Sequence, residues 1–198
     1  MKQFLLILIA TIFATFVDSS EQLGASIQPD NLYPSVELQT SAGKIVVELD
    51  RRRAPITTNN FLYYVVSGSY DGTIFHRVEK DFVVQGGGYD EKLQERKQQA
   101  PIFNESGNGL KNEALTIAMA RQNEPHSAMR QFYFNMADNE GLDPGKTWGY
   151  AVFGIVTEGE SVLQFISTTP THTEPVYQWE NVPVRPIFLN KAILQKFD

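Results

Sequence analysis

The stretch Phe75–Gly88, FHRVEKDFVVQGGG, brings side chains of three chemical kinds within a few residues of one another. Arg77 is a cation that does not titrate in the working range, Phe82 an aromatic ring and Gln85 an amide. Gly86-Gly87-Gly88 then leaves no side chain over the adjoining surface. A guanidinium beside an apolar ring needs a reason, because it is costly to desolvate unless it is paired or hydrogen-bonded. The same residues would also serve in an edge strand with a solvated Arg, a core Phe and a Gly-rich loop. His76, next to Arg77, invites the role of a base. Strand alternation puts it on the opposite face, so packing or a hydrogen bond is its expected use.

Other chemistries find no residues to perform them. The chain has 198 residues and no cysteine. Thiolate nucleophiles, disulfides, Cys-ligated zinc and lipid attachment at Cys are therefore excluded. The histidines His76, His126 and His172 lie far apart with no ligand-like spacing, so no metal and no other cofactor is expected. There is no G-x-S-x-G elbow to support Ser-His-Asp catalysis. The net charge of −6 argues against a nucleic-acid partner, which wants a basic face. Arg51-Arg52-Arg53 is a local exception and reads as a solvated turn after a strand.

The elements that must hold these residues are mostly short strands. Hydrophobic residues make up 42% of the chain, enough for the core of one domain plus extras. Glu21–Pro34 reads as a linker. Val36–Thr40 and Lys44–Leu49 form a hairpin around Ser41-Ala42-Gly43. Pro55–Val66 reads as a packing helix with Thr57 as N-cap and Gly68 as its stop; Phe61, Leu62, Val65 and Val66 make its apolar face. Thr73–Val78 and Asp81–Gln85 are strands parted by a charged Glu79-Lys80 step. Tyr89–Leu110 is a long polar loop, of the kind that is usually functional or disordered. Its Asn104-Glu105-Ser106 is a glycosylation sequon at chance level. Ala114–Ala120, Gln131–Met136 and Tyr150–Val156 are further strands. Gly159–Ser167 is a second helix with Val162, Leu163 and Ile166 inward. Thr168–Pro183 is turn-rich, and Val184–Leu194 closes the chain as a strand. This pattern points to a single barrel or sandwich.

The N-terminus has the order of a secretory signal peptide. Met1-Lys2 is positive, Phe4–Val17 is uncharged and largely apolar, and Asp18-Ser19-Ser20 turns polar. Cleavage after Ala14, near Ser19-Ser20 or after Ala25 is compatible with the pattern, and an uncleaved anchor is the alternative. The organisation read here is signal peptide 1–20, linker 21–34 and globular domain 35–198. An exported chain without cysteine suits the periplasm or secretion, where a free thiol would be oxidised.

FHRVEKDFVVQGGG, ALTIAMAR (Ala114–Arg121), RQFYFNMADNEGLD (Arg130–Asp143) and GYAVFGIV (Gly149–Val156) together resemble the signatures of the cyclophilins, in that family's order and spacing. PTHTEPVYQWENVPVRPIFL resembles the C-terminal segment of bacterial envelope members. The resemblance spans about residues 34–196. It implies a closed eight-stranded antiparallel β-barrel with a helix capping each end. It also implies a peptidyl-prolyl cis-trans isomerase whose partners are proline-containing peptides and unfolded exported proteins. On this resemblance Arg77 is the catalytic arginine, with Gln85 orienting it. Phe82, Val83, Tyr133 and Leu142 form the proline pocket. Gln131 matches a pocket glutamine, Ala120 and Arg121 a backbone-binding segment, and Tyr150 a position often held by His. Gly141 stands where the family's cyclosporin-contacting Trp is found, which implies weak cyclosporin binding unless Trp148 fills the space. A peptide-binding or chaperone module with little turnover is the competing reading. A third is an interaction protein that uses the Tyr89–Leu110 loop.

Overall fold

A computed structural model describes residues 24–197. The expected signal peptide and the first part of the expected linker lie outside the described residues. The strands are β1 (Ser35–Thr40), β2 (Gly43–Leu49), β3 (Thr73–Glu79), β4 (Val83–Gly86), β5 (Thr116–Met119), β6 (Phe132–Asn135), β7 (Val152–Glu158), β8 (Thr171–His172), β9 (Val182–Pro183) and β10 (Phe188–Leu194). The helices are α1 (Pro55–Val66) and α2 (Glu160–Ser167). Eight strands close into a barrel in the order β1-β10-β3-β4-β6-β5-β7-β2, and β8 and β9 form a separate ribbon. Every pairing is antiparallel. Closure removes the exposed sheet edges that would otherwise template association.

Period-2 alternation fills the barrel. Val36 and Leu38 on β1, Ile45, Val47 and Leu49 on β2, and Phe132 and Phe134 on β6 are all buried in one cluster. Aromatic rings meet edge to face at its centre: Phe132 lies 5.4 Å from Phe61 and 5.3 Å from Tyr70. Such tilted arrangements suit the ring quadrupoles. α2 packs at the Gly43 end of β2, where a Cβ on Gly43 would meet Val162 at 2.7 Å. α1 starts beyond the other end, after Leu49, and sends Phe61 into the ring cluster. The helices thus close opposite ends of the barrel.

Several local expectations need correction. Thr57 lies inside α1 and does not cap it; the cap position is Ala54, which has no capping side chain. The free N–H groups go to Glu105 in the long loop, which accepts from Ile56 N (3.1 Å), Thr57 N (2.8 Å) and Thr57 Oγ1 (2.7 Å). Val66 is 56% exposed, and Tyr64 takes its place on the buried face. Gly68 does follow the helix in the left-handed region at φ +66°. Arg51 is buried, not solvated, and donates to the carbonyls of Ile27, Gln28 and Asn31. Those bonds hold residues 27–31, within the expected linker, against the barrel. The last strand starts at Phe188; Val184 is exposed. Asn104 of the sequon is buried, with its amide donating to Gly149 O, so it is no glycan acceptor in this fold.

Candidate active site

Alternation gives β4, β5, β6 and β7 a second apolar face. Val84, Ile117, Phe134 and Phe153 belong to the barrel core. Their neighbours Val83, Ala118, Tyr133 and Val152 form a separate buried cluster on the other side. The register sets Ala118 opposite Tyr133 on one flank and Val152 on the other. Phe82, Leu110, Ala120, Leu142 and Tyr150 pack around this floor, each half-buried. The expected pocket residues Phe82, Val83, Tyr133, Leu142, Ala120 and Tyr150 therefore meet in one apolar cluster. Ala118, Val152 and Leu110 were not anticipated. The first two sit where strand alternation pairs them with Tyr133, a signal present in the sequence. Leu110 ends a loop with no periodicity to read.

Arg77 stands beside this cluster, next to Phe82. β3 sets it opposite Gln85 on β4. Its Nη1 donates to Gln85 Oε1 at 3.3 Å, and Gln85 Nε2 donates to Gln131 Oε1 at 2.9 Å. The guanidinium carbon lies 5.6 Å from the Phe82 ring centre, close enough for a cation–π contact. Nε and Nη2 both donate to Glu79 Oε1, at 3.2 and 2.6 Å. The Arg77 side chain remains 39% exposed. Glu79, read from the sequence only as a charged step, is thus in direct contact with it.

The glycines earn their places by close approach. Gly87 has φ +82°, and a Cβ there would meet Phe132 at 2.8 Å and Tyr70 at 2.9 Å. A Cβ on Gly88 would meet Gln131 Cγ at 2.6 Å. A side chain at Gly88 would push Gln131 away from Gln85, and one at Gly87 would press on the Phe132 and Tyr70 rings.

The family departures find local partners. The Tyr133 hydroxyl donates to Asn112 Oδ1 at 2.8 Å, and burial holds the phenol protonated well beyond its usual pKa. Arg121 donates to the carbonyls of Gly149, Gln122, Asn123 and Trp148, and lies 4.5 Å over the Tyr150 ring. A Cβ on Gly141 would meet nothing within 4 Å. The Trp148 ring packs on His126 at 5.0 Å and Phe103 at 6.4 Å. His76 is buried against Tyr89 (4.7 Å) and Trp179 (6.3 Å), in keeping with a packing role. His76 is not set on the face opposite Arg77, as strand alternation would have it. The β3–β4 register shifts between Phe75 and Arg77, and His76 and Arg77 border one hollow. Among the described residues no cluster of three or more His, Cys, Asp or Glu could hold a metal ion, and no helix is long and apolar enough to cross a membrane.

Residues 35–190 match the family model described as cyclophilin type peptidyl-prolyl cis-trans isomerase/CLD. The chain belongs to the cyclophilin family. It is 52% identical over 162 residues to the peptidyl-prolyl cis-trans isomerase cyp18 of Streptomyces antibioticus, covering 80% of this chain and 96% of that one. It is 47% identical over 162 residues to peptidyl-prolyl cis-trans isomerase A of Dickeya dadantii, covering 81% and 84%. Peptidyl-prolyl cis-trans isomerase B of Escherichia coli is 38% identical over 165 residues, covering 81% and 99%. In fold the cyclophilin resembles a crystal structure of a cyclophilin-type isomerase of Cryptosporidium parvum. That match has a TM-score of 0.73 at 22% identity and covers 84% of this chain and 99% of that one. This cyclophilin is a peptidyl-prolyl cis-trans isomerase.

Proposed function

We propose that this cyclophilin turns X–Pro bonds in exported chains as they fold, with Arg77 acting on the prolyl nitrogen. The observation that carries the site assignment is a partly exposed guanidinium beside an apolar cluster. Phe82 lies under it and Gln85 beside it. Rotation about an amide meets a barrier of roughly 18–20 kcal/mol from resonance. Uncatalysed X–Pro exchange takes roughly tens to hundreds of seconds. No nucleophile, metal or acid–base pair is needed. The enzyme has to bind the twisted amide better than either planar form.

The apolar cluster of Val83, Ala118, Tyr133 and Val152 takes the proline ring and strips water from the more polar planar amide. When the amide twists, its nitrogen becomes pyramidal and regains a lone pair. Arg77 can donate to that lone pair only in the twisted state, so the bond lowers the barrier without tightening the ground state. Gln85 fixes the guanidinium and Gln131 fixes Gln85. A gain of ~5–7 kcal/mol corresponds to roughly four to five decades of rate.

Export has its support in the residues before the barrel. The positive Met1-Lys2, the apolar Phe4–Val17 and the lack of cysteine agree with a periplasmic or secreted enzyme. N-terminal sequencing of the protein recovered from a cell-envelope fraction tests this; recovery in the cytosol with Met1 intact ends it. For the site, a protease-coupled proline-peptide assay is compared with peptide affinity. Arg77→Ala is expected to lower kcat/KM by about a hundredfold, the order seen when a single transition-state donor is lost, while still binding peptide. Arg77→Lys is expected to be similarly poor, because an ammonium lacks the planar fork. Wild-type turnover by Arg77→Ala would refute the assignment.

A further inference from the structure

The Arg77 guanidinium is held on three sides, and one of the holders is itself fixed from the far end of the chain. Gln85 meets it with a neutral amide at 3.3 Å, near the limit of a useful hydrogen bond. Phe82 offers only a ring face at 5.6 Å. Glu79 is the strong contact. It lies two residues along β3, so its side chain shares the face of Arg77. Its Oε1 accepts from Nε and from Nη2, the latter at 2.6 Å.

Glu79 is itself pinned. The Asn181 side-chain amide donates to the same Oε1 at 2.9 Å. The Asn181 carbonyl accepts from Val78 N, also at 2.9 Å. One residue of the segment entering β9 therefore grips β3 through both backbone and side chain, beside Arg77. Asn181 sits in the left-handed region at φ +61°, a conformation Asn tolerates better than most residues. The result is a chain of contacts, Asn181 to Glu79 to Arg77, reaching the active site from a loop 102 residues away in sequence.

The arrangement divides the five N–H donors of the guanidinium. The Nε–Nη2 edge is occupied by a carboxylate, and Nη1 is left beside the neutral amide of Gln85. Without Glu79, a side chain already 39% exposed has only a long neutral bond and a ring to hold it out of solvent. Glu79 is not part of the apolar cluster around Tyr133; with Arg77, Gln85 and Asn181 it borders a separate, more polar cavity.

We propose that Glu79, anchored by Asn181, is a positioning residue that aims Arg77 at the prolyl nitrogen. This rests on Arg77 being the residue that acts on the amide. Because Glu79 touches the donor and not the proline pocket, its loss is felt in kcat and not in KM. Glu79→Ala is expected to lower kcat about tenfold with KM and Tm near wild type. Glu79→Gln keeps an acceptor oxygen at the same reach and is expected to recover most of that loss. Asn181→Ala frees the carboxylate and is expected to lower kcat about threefold. Steady-state assays on a proline peptide at several concentrations read all three variants, with Arg77→Ala alongside. Wild-type kcat in both Glu79→Ala and Asn181→Ala would overturn the proposal. So would a loss that appears in KM, a loss that tracks a fall in Tm, or a Gln variant no better than Ala. Should Glu79→Ala not fold, Asn181→Ala and Glu79→Gln still decide it. If Arg77→Ala is inactive while Glu79→Ala is normal, only the positioning claim fails; if Arg77→Ala is active, the parent reading fails with it.

Discussion

Single arginines in this molecule show how surroundings decide what a cation does. Arg130 is buried and satisfied by the carbonyls of Gly87, Lys97 and Ser69, with Tyr64 and Tyr70 rings beside it. Arg51 is spent on the carbonyls of the N-terminal lead-in. Both are structural: each guanidinium is turned onto backbone carbonyls, although the buried Arg51 Nε is left without a partner. Arg77 keeps donors on Nη1 and Nη2 and an exposed face, which is what a residue needs in order to meet a substrate. Tyr133 shows the same logic for a hydroxyl. An extra O–H in an apolar pocket would be costly, but Asn112 accepts it. Gly141 is the reverse case, a missing side chain. Its surroundings are open, and Trp148 is engaged with His126 and Phe103. Weak cyclosporin binding is therefore expected. Gly141→Trp should tighten inhibition of the isomerase by about tenfold, the order of one good aromatic contact. An inhibition titration of both proteins checks this, and equal inhibition constants would mean that residue 141 does not set drug affinity.

At the level of elements, the pocket is a by-product of strand period. The alternation that packs Val84, Ile117, Phe134 and Phe153 inward turns Val83, Ala118, Tyr133 and Val152 outward. That much is legible in the sequence, because alternation is local and Arg77, Phe82 and Gln85 lie within a few residues of one another. What escapes a sequence reading is contact between distant segments. Glu79 meets Asn181 from the ribbon, and Glu105 meets α1 from a loop 48 residues on. Thr57 looked like an N-cap because it is a cap-forming residue just after Pro55. The tertiary fold instead brings a carboxylate to the helix start, where it also suits the positive end of the dipole. Glu105→Ala should remove that cap and cost about 1–2 kcal/mol, or a Tm lower by roughly 2–8 °C, with kcat/KM unchanged. Thermal melts beside activity assays test it. An unchanged Tm would show that the helix does not depend on the loop.

Over the whole molecule, barrel closure, the tethered long loop and the C-terminal ribbon bury one group that acid should charge. His76 sits between Tyr89 and Trp179, its Nδ1 unpaired, under the ribbon. Burial first, and the Arg77 charge second, push its pKa from 6.5 down to about 4. The folded state thus refuses a proton that the unfolded chain accepts. Between pH 6.5 and about 4 the unfolded state binds more protons, so stability falls as pH falls through that window. At about 1.36 kcal/mol per unit, the full loss is about 3 kcal/mol by pH 4. Asp143 contributes at lower pH. Burial would raise its pKa, but bonds from Asn112 and the Lys111 cation hold it below its usual 3.8. Its stabilisation fades only below the histidine window. Urea unfolding at intervals from pH 7 to about 2, on wild type and His76→Gln, separates the two. The glutamine variant should lose the slope between pH 6.5 and 4 and keep the drop beneath it. Parallel curves would mean that His76 does not titrate with unfolding, and that the acid sensitivity of the fold lies in its carboxylates.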